Sequence, residues 1–175
     1  FSLTNSVLNT LPIAYVISEK YFVVHGGLPG KPDFCLEDVR GLDRFRVPEN
    51  GTLLSQLLWS DPQESQGIRP SHRGEGILFG PDVSEAFLKR NNLSKIIRSH
   101  VWQSEGWLSE QSGLCITIFS APNYTYTYCT VYPFIIILLL LVCSGSTSYG
   151  AWIDIDSDGE MKFTRFTAAK YQGKY

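Results

Sequence analysis

Two short apolar runs in this chain each end at a histidine. In YFVVHGGLPG, the β-branched and aromatic residues Tyr21 to Val24 lead into His25 and two glycines. In SKIIRSH, a second run ends on His100. Runs of this composition read as strands. In an α/β fold, ligands collect where strand ends and loops converge. Imidazole is the commonest nitrogen donor to zinc, manganese or iron. Taken singly, each histidine reads first as a surface or satisfied core imidazole, since most histidines are not ligands. Glycines beside one of them let the backbone pass close to something.

The rest of the chain supports a folded α/β reading. Residues 13–17 form another apolar segment ahead of the first strand. CLEDVRGLDRF reads as a short helix with Leu36, Val39, Leu42 and Phe45 at helical spacing. PDVSEAFLKRNN is the clearest helix, with Pro81 and Asp82 at its start and Val83, Ala86 and Phe87 on one face. Between them, PENGTLLSQLLWSDPQ is apolar in the middle, and SQGIRPSHRGEGILFG reads as a polar loop punctuated by Gly and Pro. LCITIFSAPNY is a strand running into a loop. GAWIDIDSDGEMKFTRF alternates on both sides of Asp158-Gly159, a hairpin turn signal. The chain has no internal repeat.

Composition narrows the function classes. With 175 residues, 43% hydrophobic and 18% charged, the chain can bury a real core and is not of disordered type. A net charge of −2 without any basic run argues against a nucleic-acid partner. Four cysteines without zinc spacing read as ordinary thiols in a reducing compartment, which places the protein in the cytoplasm or nucleus. Phe1 is not an initiator methionine, and the N-terminus reads as truncated or processed.

DIDSDGE places Asp154, Asp156, Asp158 and Gly159 at positions 1, 3, 5 and 6 of an EF-hand loop. Position 12 of such a loop is a bidentate glutamate, and here it is Arg165. The flanks alternate as strands do, so a β-hairpin turn is the reading.

Five motifs then fall in a telling order. After HGG come WSDP at 59–62, HRG at 72–74, FGPD at 79–82, RSH at 98–100 and FSAPNY at 119–124. In this the chain resembles the catalytic domain of the metal-dependent serine/threonine phosphoprotein phosphatases, of calcineurin-like metallophosphoesterase fold. The stretches LLWSDPQ and FGPDVSEAFL are nearest the tetratricopeptide-linked and EF-hand-linked branch. The resemblance covers residues 1–124 and resumes over about 146–170. It implies the C-terminal half of an α/β/β/α sandwich, with residues 146–175 as its final hairpin and tail.

The resemblance implies a mechanism and site. Two divalent ions of the Mn/Fe/Zn class, about 3.5–4 Å apart, would activate a water for in-line attack on phosphoserine or phosphothreonine. His25 and His100 match two ligands of one metal. Arg73 matches the arginine that clamps phosphate oxygens, a task suited to its planar fork. Tyr124 matches the tyrosine over the metals, and Trp59 and Asp61 match a supporting loop. Read without the family, Arg73 is a solvated loop charge and Tyr124 a packing residue. Phosphoprotein substrates and a regulatory subunit or linked regulatory domain are the implied partners.

Three departures qualify the resemblance. The family's N-terminal signatures GDxHG, GDxxDRG and GNHE, which carry most metal ligands, do not occur in the chain. Two imidazoles without a carboxylate cannot hold a dinuclear centre, because hard divalent cations want oxygen donors and charge compensation. The expectation is therefore a chain that is inactive and poorly folded by itself; the alternative function is a non-catalytic, phosphatase-derived binding protein. Val101-Trp102 and Thr125 replace residues usual in the family after RSH and NY. Finally, residues 125–145 are an anomalous apolar insert, with ten unbroken apolar residues at 134–143. That is short of the roughly 18–20 needed to span a bilayer, so a membrane attachment is not the expectation. An intron carried into the sequence is.

Overall fold

The structure, a computed structural model, describes residues 2–124 and 148–169. The apolar insert lies outside the described residues. The described residues fall into two compact units: residues 2–101 with 109–117, and residues 102–108 with 118–124 and 148–169.

In the first unit, helix α1 (Ser2–Leu8) precedes a hairpin of β1 (Ala14–Ile17) and β2 (Tyr21–Val24). Helices α2 (Leu36–Arg40) and α3 (Leu53–Trp59) follow. Next come the short strands β3 (Asp61–Pro62), β4 (Ile68–Pro70) and β5 (Ile77–Phe79), helix α4 (Pro81–Arg90) and strand β6 (Lys95–Arg98). Strands β7 (Trp107–Glu110) and β8 (Cys115–Ile118) complete a five-stranded sheet of order β1-β2-β6-β8-β7. Strands β2, β6 and β8 are parallel, with Val23 opposite Ile97 and Ile97 opposite Ile116. Parallel strands are covered on both faces and read as continuous apolar runs. That is why YFVV, KIIR and CITI lack alternation. Their common direction also sends the chain segments after β2 and β6 out at the same edge of the sheet.

The core of this unit gathers Phe22, Leu28, Phe34, Leu57, Phe79, Phe87 and Ile96. Phe87 of α4 is its keystone: its ring meets Phe22 edge-on at 4.9 Å and stacks on Phe34 at 5.2 Å. Helix α4 starts on Pro81 with Asp82 in its first turn, and ends with Lys89 and Arg90 in its last. Both biases complement the helix dipole. Its buried face is Ser84, Phe87 and Leu88, rotated from the expected Val83, Ala86 and Phe87. Val83 is half-buried and Ala86 exposed. The rotation has a polar cause: the Ser84 hydroxyl donates to buried Gln111 Oε1 at 2.6 Å, which hydropathy cannot register. Gln111 Nε2 in turn donates to the Phe79 carbonyl at 2.8 Å.

Two further expectations change. The helix expected through Phe45 ends at Arg40, capped at Gly41, whose N–H bonds the Glu37 carbonyl at 2.9 Å. Phe45 lies beyond it and is exposed, while Leu36, Val39 and Leu42 pack against the core as expected. The expected polar loop over SQGIRPSHRGEGILFG contains β4 and β5, which with β3 make a second sheet of order β3-β5-β4. Strands of two or three residues are too short to show any periodicity.

In the second unit, β9 (Gly150–Ile155) and β10 (Met161–Phe166) form the expected antiparallel hairpin. Its loop spans residues 156–160, longer than a two-residue turn. The Asp156 carboxylate closes it, accepting from the N–H groups of Asp158 at 3.0 Å and Glu160 at 2.8 Å. Trp107 stacks on Phe163 at 4.3 Å. The SAPNY loop is laced to β9: Ser120 Oγ donates to the Ala151 carbonyl at 2.9 Å, and Asn123 N–H to the Ser148 carbonyl at 3.1 Å.

Candidate functional site

The segment after β2 delivers His25, and the one after β6 delivers His100. The imidazole centroids stand 5.1 Å apart. The Ser99 N–H donates to the His25 carbonyl at 3.1 Å, so the two segments are tied by backbone as well. His100 has φ 71°, a left-handed conformation that a non-glycine residue adopts at a cost. Such strain persists where the surroundings over-determine it, and the perpendicular contact of Trp59 with the His100 ring at 5.1 Å is part of that restraint.

The glycines after His25 answer to the end of α3. A Cβ on Gly26 would stand 2.4 Å from the Leu58 carbonyl carbon, and one on Gly27 would stand 2.2 Å from the Phe79 ring. Both glycine N–H groups point at the Leu57 carbonyl, at 3.0 and 3.3 Å. No side chain fits there. The close approach sets α3 against β2 and brings Trp59 and Asp61 beside the histidines.

Charge is organised around Asp61. Its Oδ2 accepts from Arg73 Nε at 2.9 Å and its Oδ1 from Arg98 Nη2 at 2.7 Å. Arg98 is the last residue of β6, its side chain wholly buried. Its Nε also donates to the Gly26 carbonyl at 2.5 Å and its Nη2 to the Ser60 carbonyl at 3.1 Å. Burial lowers the Arg98 pKa, and the Asp61 carboxylate opposes that, so the guanidinium stays charged. No sequence motif assigns Arg98 a role. A signal existed: an arginine closing an otherwise apolar, doubly covered strand has to be buried, and a buried cation has to be paired.

Burial, with Arg98 close by, lowers the pKa of His25. Burial likewise lowers that of His100 to about 4. Both imidazoles are therefore neutral at physiological pH, the form that binds a metal. His100 Nε2 is buried with no hydrogen-bond partner among the described residues. An orphaned, neutral ring nitrogen fits a metal donor. The pair thus fits the nitrogen ligands of one divalent ion. It does not fit a two-metal centre: the described residues hold no cluster of three or more His, Cys, Asp or Glu side chains able to ligate, and Asp61 is engaged by two arginines.

The structure thus brings His25, His100, Trp59, Asp61 and Arg73 together in the first unit. Tyr124 belongs to the second unit, where it is exposed and meets the Phe119 ring edge-on at 4.9 Å. In the EF-hand look-alike, Asp156 bonds the backbone of its own turn, as above, and Asp154 accepts from Trp152 Nε1 at 3.2 Å. Strands flank it where an EF-hand has helices, in accord with the hairpin reading.

Known proteins resemble this chain in sequence and in fold. The chain is 43% identical to serine/threonine-protein phosphatase T of Trypanosoma brucei brucei over 99% of its length, covering 34% of that protein. It is 52% identical to serine/threonine-protein phosphatase 5 of Solanum lycopersicum over 65% of its length, covering 20% of that protein. A solved serine/threonine phosphatase from Saccharomyces cerevisiae, described as similar to human phosphatase PP5, superimposes with a TM-score of 0.78. That alignment has 34% identity and covers 95% of this chain and 50% of the solved one. The chain thus spans about a third of the length of the curated relatives matched end to end. The sequence profile of the calcineurin-like phosphoesterases matches residues 2–104, more than half of the chain. With that profile, these relatives and the α/β sheets in agreement, the chain belongs to the calcineurin-like phosphoesterase family, whose chemistry employs divalent metal ions.

Proposed function

We propose that this chain is the C-terminal portion of a serine/threonine protein phosphatase domain that hydrolyses phosphoserine and phosphothreonine in protein substrates. The observation that carries the reading is the close His25–His100 pair beside Arg73, whose guanidinium is held by Asp61. In this reading His25 and His100 supply imidazole nitrogens to one divalent ion of the Mn/Fe/Zn class. That ion supplies Lewis acidity and an activated water when bound. Arg73 offers its two terminal nitrogens to phosphate oxygens, and Trp59 restrains the His100 ring. The carboxylate ligands come from sequence absent from this chain, and the chain alone has no turnover. Work in the cytoplasm or nucleus, under a regulatory subunit or linked domain, fits this reading.

The test is hydrolysis of a phosphothreonine peptide, with manganese, by a full-length polypeptide carrying the GDxHG, GDxxDRG and GNHE segments. His25→Ala and His100→Ala are each expected to reduce kcat by at least ~100-fold and to weaken manganese binding in calorimetry. Unchanged turnover in both variants overturns the assignment. A second reading, a non-catalytic phosphatase-derived binding protein, is favoured by the lack of a ligating cluster of three among the described residues. A product that lacks those three segments and still folds would select it.

A further inference from the structure

We propose that Arg98 is a positioning residue for Arg73, acting through Asp61, and that the same guanidinium fixes the loop that carries His25. The inference rests on the reading of Arg73 as a phosphate ligand. Two segments distant in sequence converge on this one buried cation. Its Nε holds the Gly26 carbonyl, one residue past His25. Its Nη2 holds the Ser60 carbonyl and the Asp61 carboxylate. It lies two residues before His100. A shift of the Arg98 head therefore moves the histidine loop and the Asp61 carboxylate together.

The second half of the relay runs through Asp61. Its Oδ2 takes only the Nε of Arg73, at 2.9 Å. Among the described residues neither Nη of Arg73 has a hydrogen-bond partner, so the outer fork is left to a bidentate anion. Arg73 is itself partly exposed, on a loop, and a solvated arginine has many rotamers to lose. Asp61 selects one of them, and Arg98 selects the orientation of Asp61. Arg98 is poorly arranged for stability alone: its Nη1 is buried without a hydrogen-bond partner among the described residues. Buried ion pairs are seldom a net gain in stability over apolar residues, so an under-satisfied one calls for another role.

The experiment is titration calorimetry with inorganic phosphate on the full-length polypeptide in manganese buffer. The variants are Arg73→Lys, Arg98→Lys, Asp61→Asn, and the last two each combined with Arg73→Lys. Single changes at 98 and 61 are expected to weaken phosphate about tenfold, the loss of one charge-assisted contact geometry. In the Arg73→Lys background the same changes are expected to cost less than about twofold, since the group they orient is gone. With phosphopeptide as substrate, the single variants raise KM more than they lower kcat. Asp61→Asn cuts the relay in its middle without removing the buried cation, and decides the matter where Arg98→Lys does not fold. Equal losses with and without Arg73 would mean a general structural role and overturn the proposal. If Arg73→Lys itself leaves phosphate affinity unchanged, the phosphate reading has failed, and this inference falls with it.

Discussion

Two places in this molecule gather aspartates beside glycines, and they come to opposite ends. After β2 and β6, the Asp61 carboxylate is shared by arginines 12 and 37 residues away. In the β9–β10 turn, Asp156 bonds the N–H groups two and four residues ahead of it. The first carboxylate is claimed by tertiary partners and organises a charged site. The second is consumed by its own turn, as Asp commonly is. A carboxylate's chemistry is set by the groups that claim it, and the turn with more acidic residues is the one with less to offer a cation.

The largest effect should come from breaking the first place. Arg98→Ala leaves buried carbonyls unsatisfied and Asp61 without its inner partner, and is expected to cost roughly 3–5 kcal/mol of stability in urea unfolding. A loss below about 1 kcal/mol would mean that the buried pair is not the hub of the strand ends. Phe87→Ala, in the core beneath, should cost a similar ~3–5 kcal/mol. Gly26→Ala comes next. Its Cβ would overlap the Leu58 backbone, and overpacking of this kind costs about 1–3 kcal/mol. The hairpin should respond less: Asp156→Ala is expected to cost only ~1 kcal/mol, and added calcium should leave the thermal midpoint unchanged. A calcium-dependent rise in that midpoint would reverse the comparison.

The smallest effect is a pH dependence at Glu110, which also feels the charges of Arg98 and Asp61. Burial raises the pKa of Glu110, while its hydrogen bond to Thr117 opposes the shift. A raised folded-state pKa means that the folded chain binds the proton more tightly than the unfolded one. This contribution to stability is present below the unfolded pKa and lost as pH rises through the folded one. Glu110→Gln should therefore stabilise the protein modestly at pH 7 and hardly at pH 4, as read from thermal midpoints. Equal midpoints shifts at the two values would show that Glu110 is not strained by its burial. Cys115, its thiol pushed up to about 12 by burial, should resist alkylation in the folded protein.

Much of this was legible in the residues. The parallel strands declared themselves by unbroken apolar runs, and α4 by its Pro81 start and basic end. The two histidines stood out because each follows a strand, and the ordered HGG, WSDP, HRG, FGPD, RSH and FSAPNY motifs named the family. Strands of two or three residues left no period to detect, so β3 to β5 passed for loop. Ser84 and Gln111 escaped because a buried polar pair looks, in one dimension, like two surface residues. Arg98 escaped for the same reason, since its partners are far along the chain.

The sequence by itself determined which segments could be strands and which side chains bear metal and phosphate chemistry. Those are local properties of covalent geometry, hydrophobicity and donor type. Only the tertiary structure decided that one buried guanidinium joins the loops of His25, Asp61 and His100, and that Asp156 serves its own turn. The physical reason is that hydrogen-bond partnership depends on distances the chain sets only once the sheet has been assembled. A residue's type limits what it can bond, and the packing selects the bond it makes.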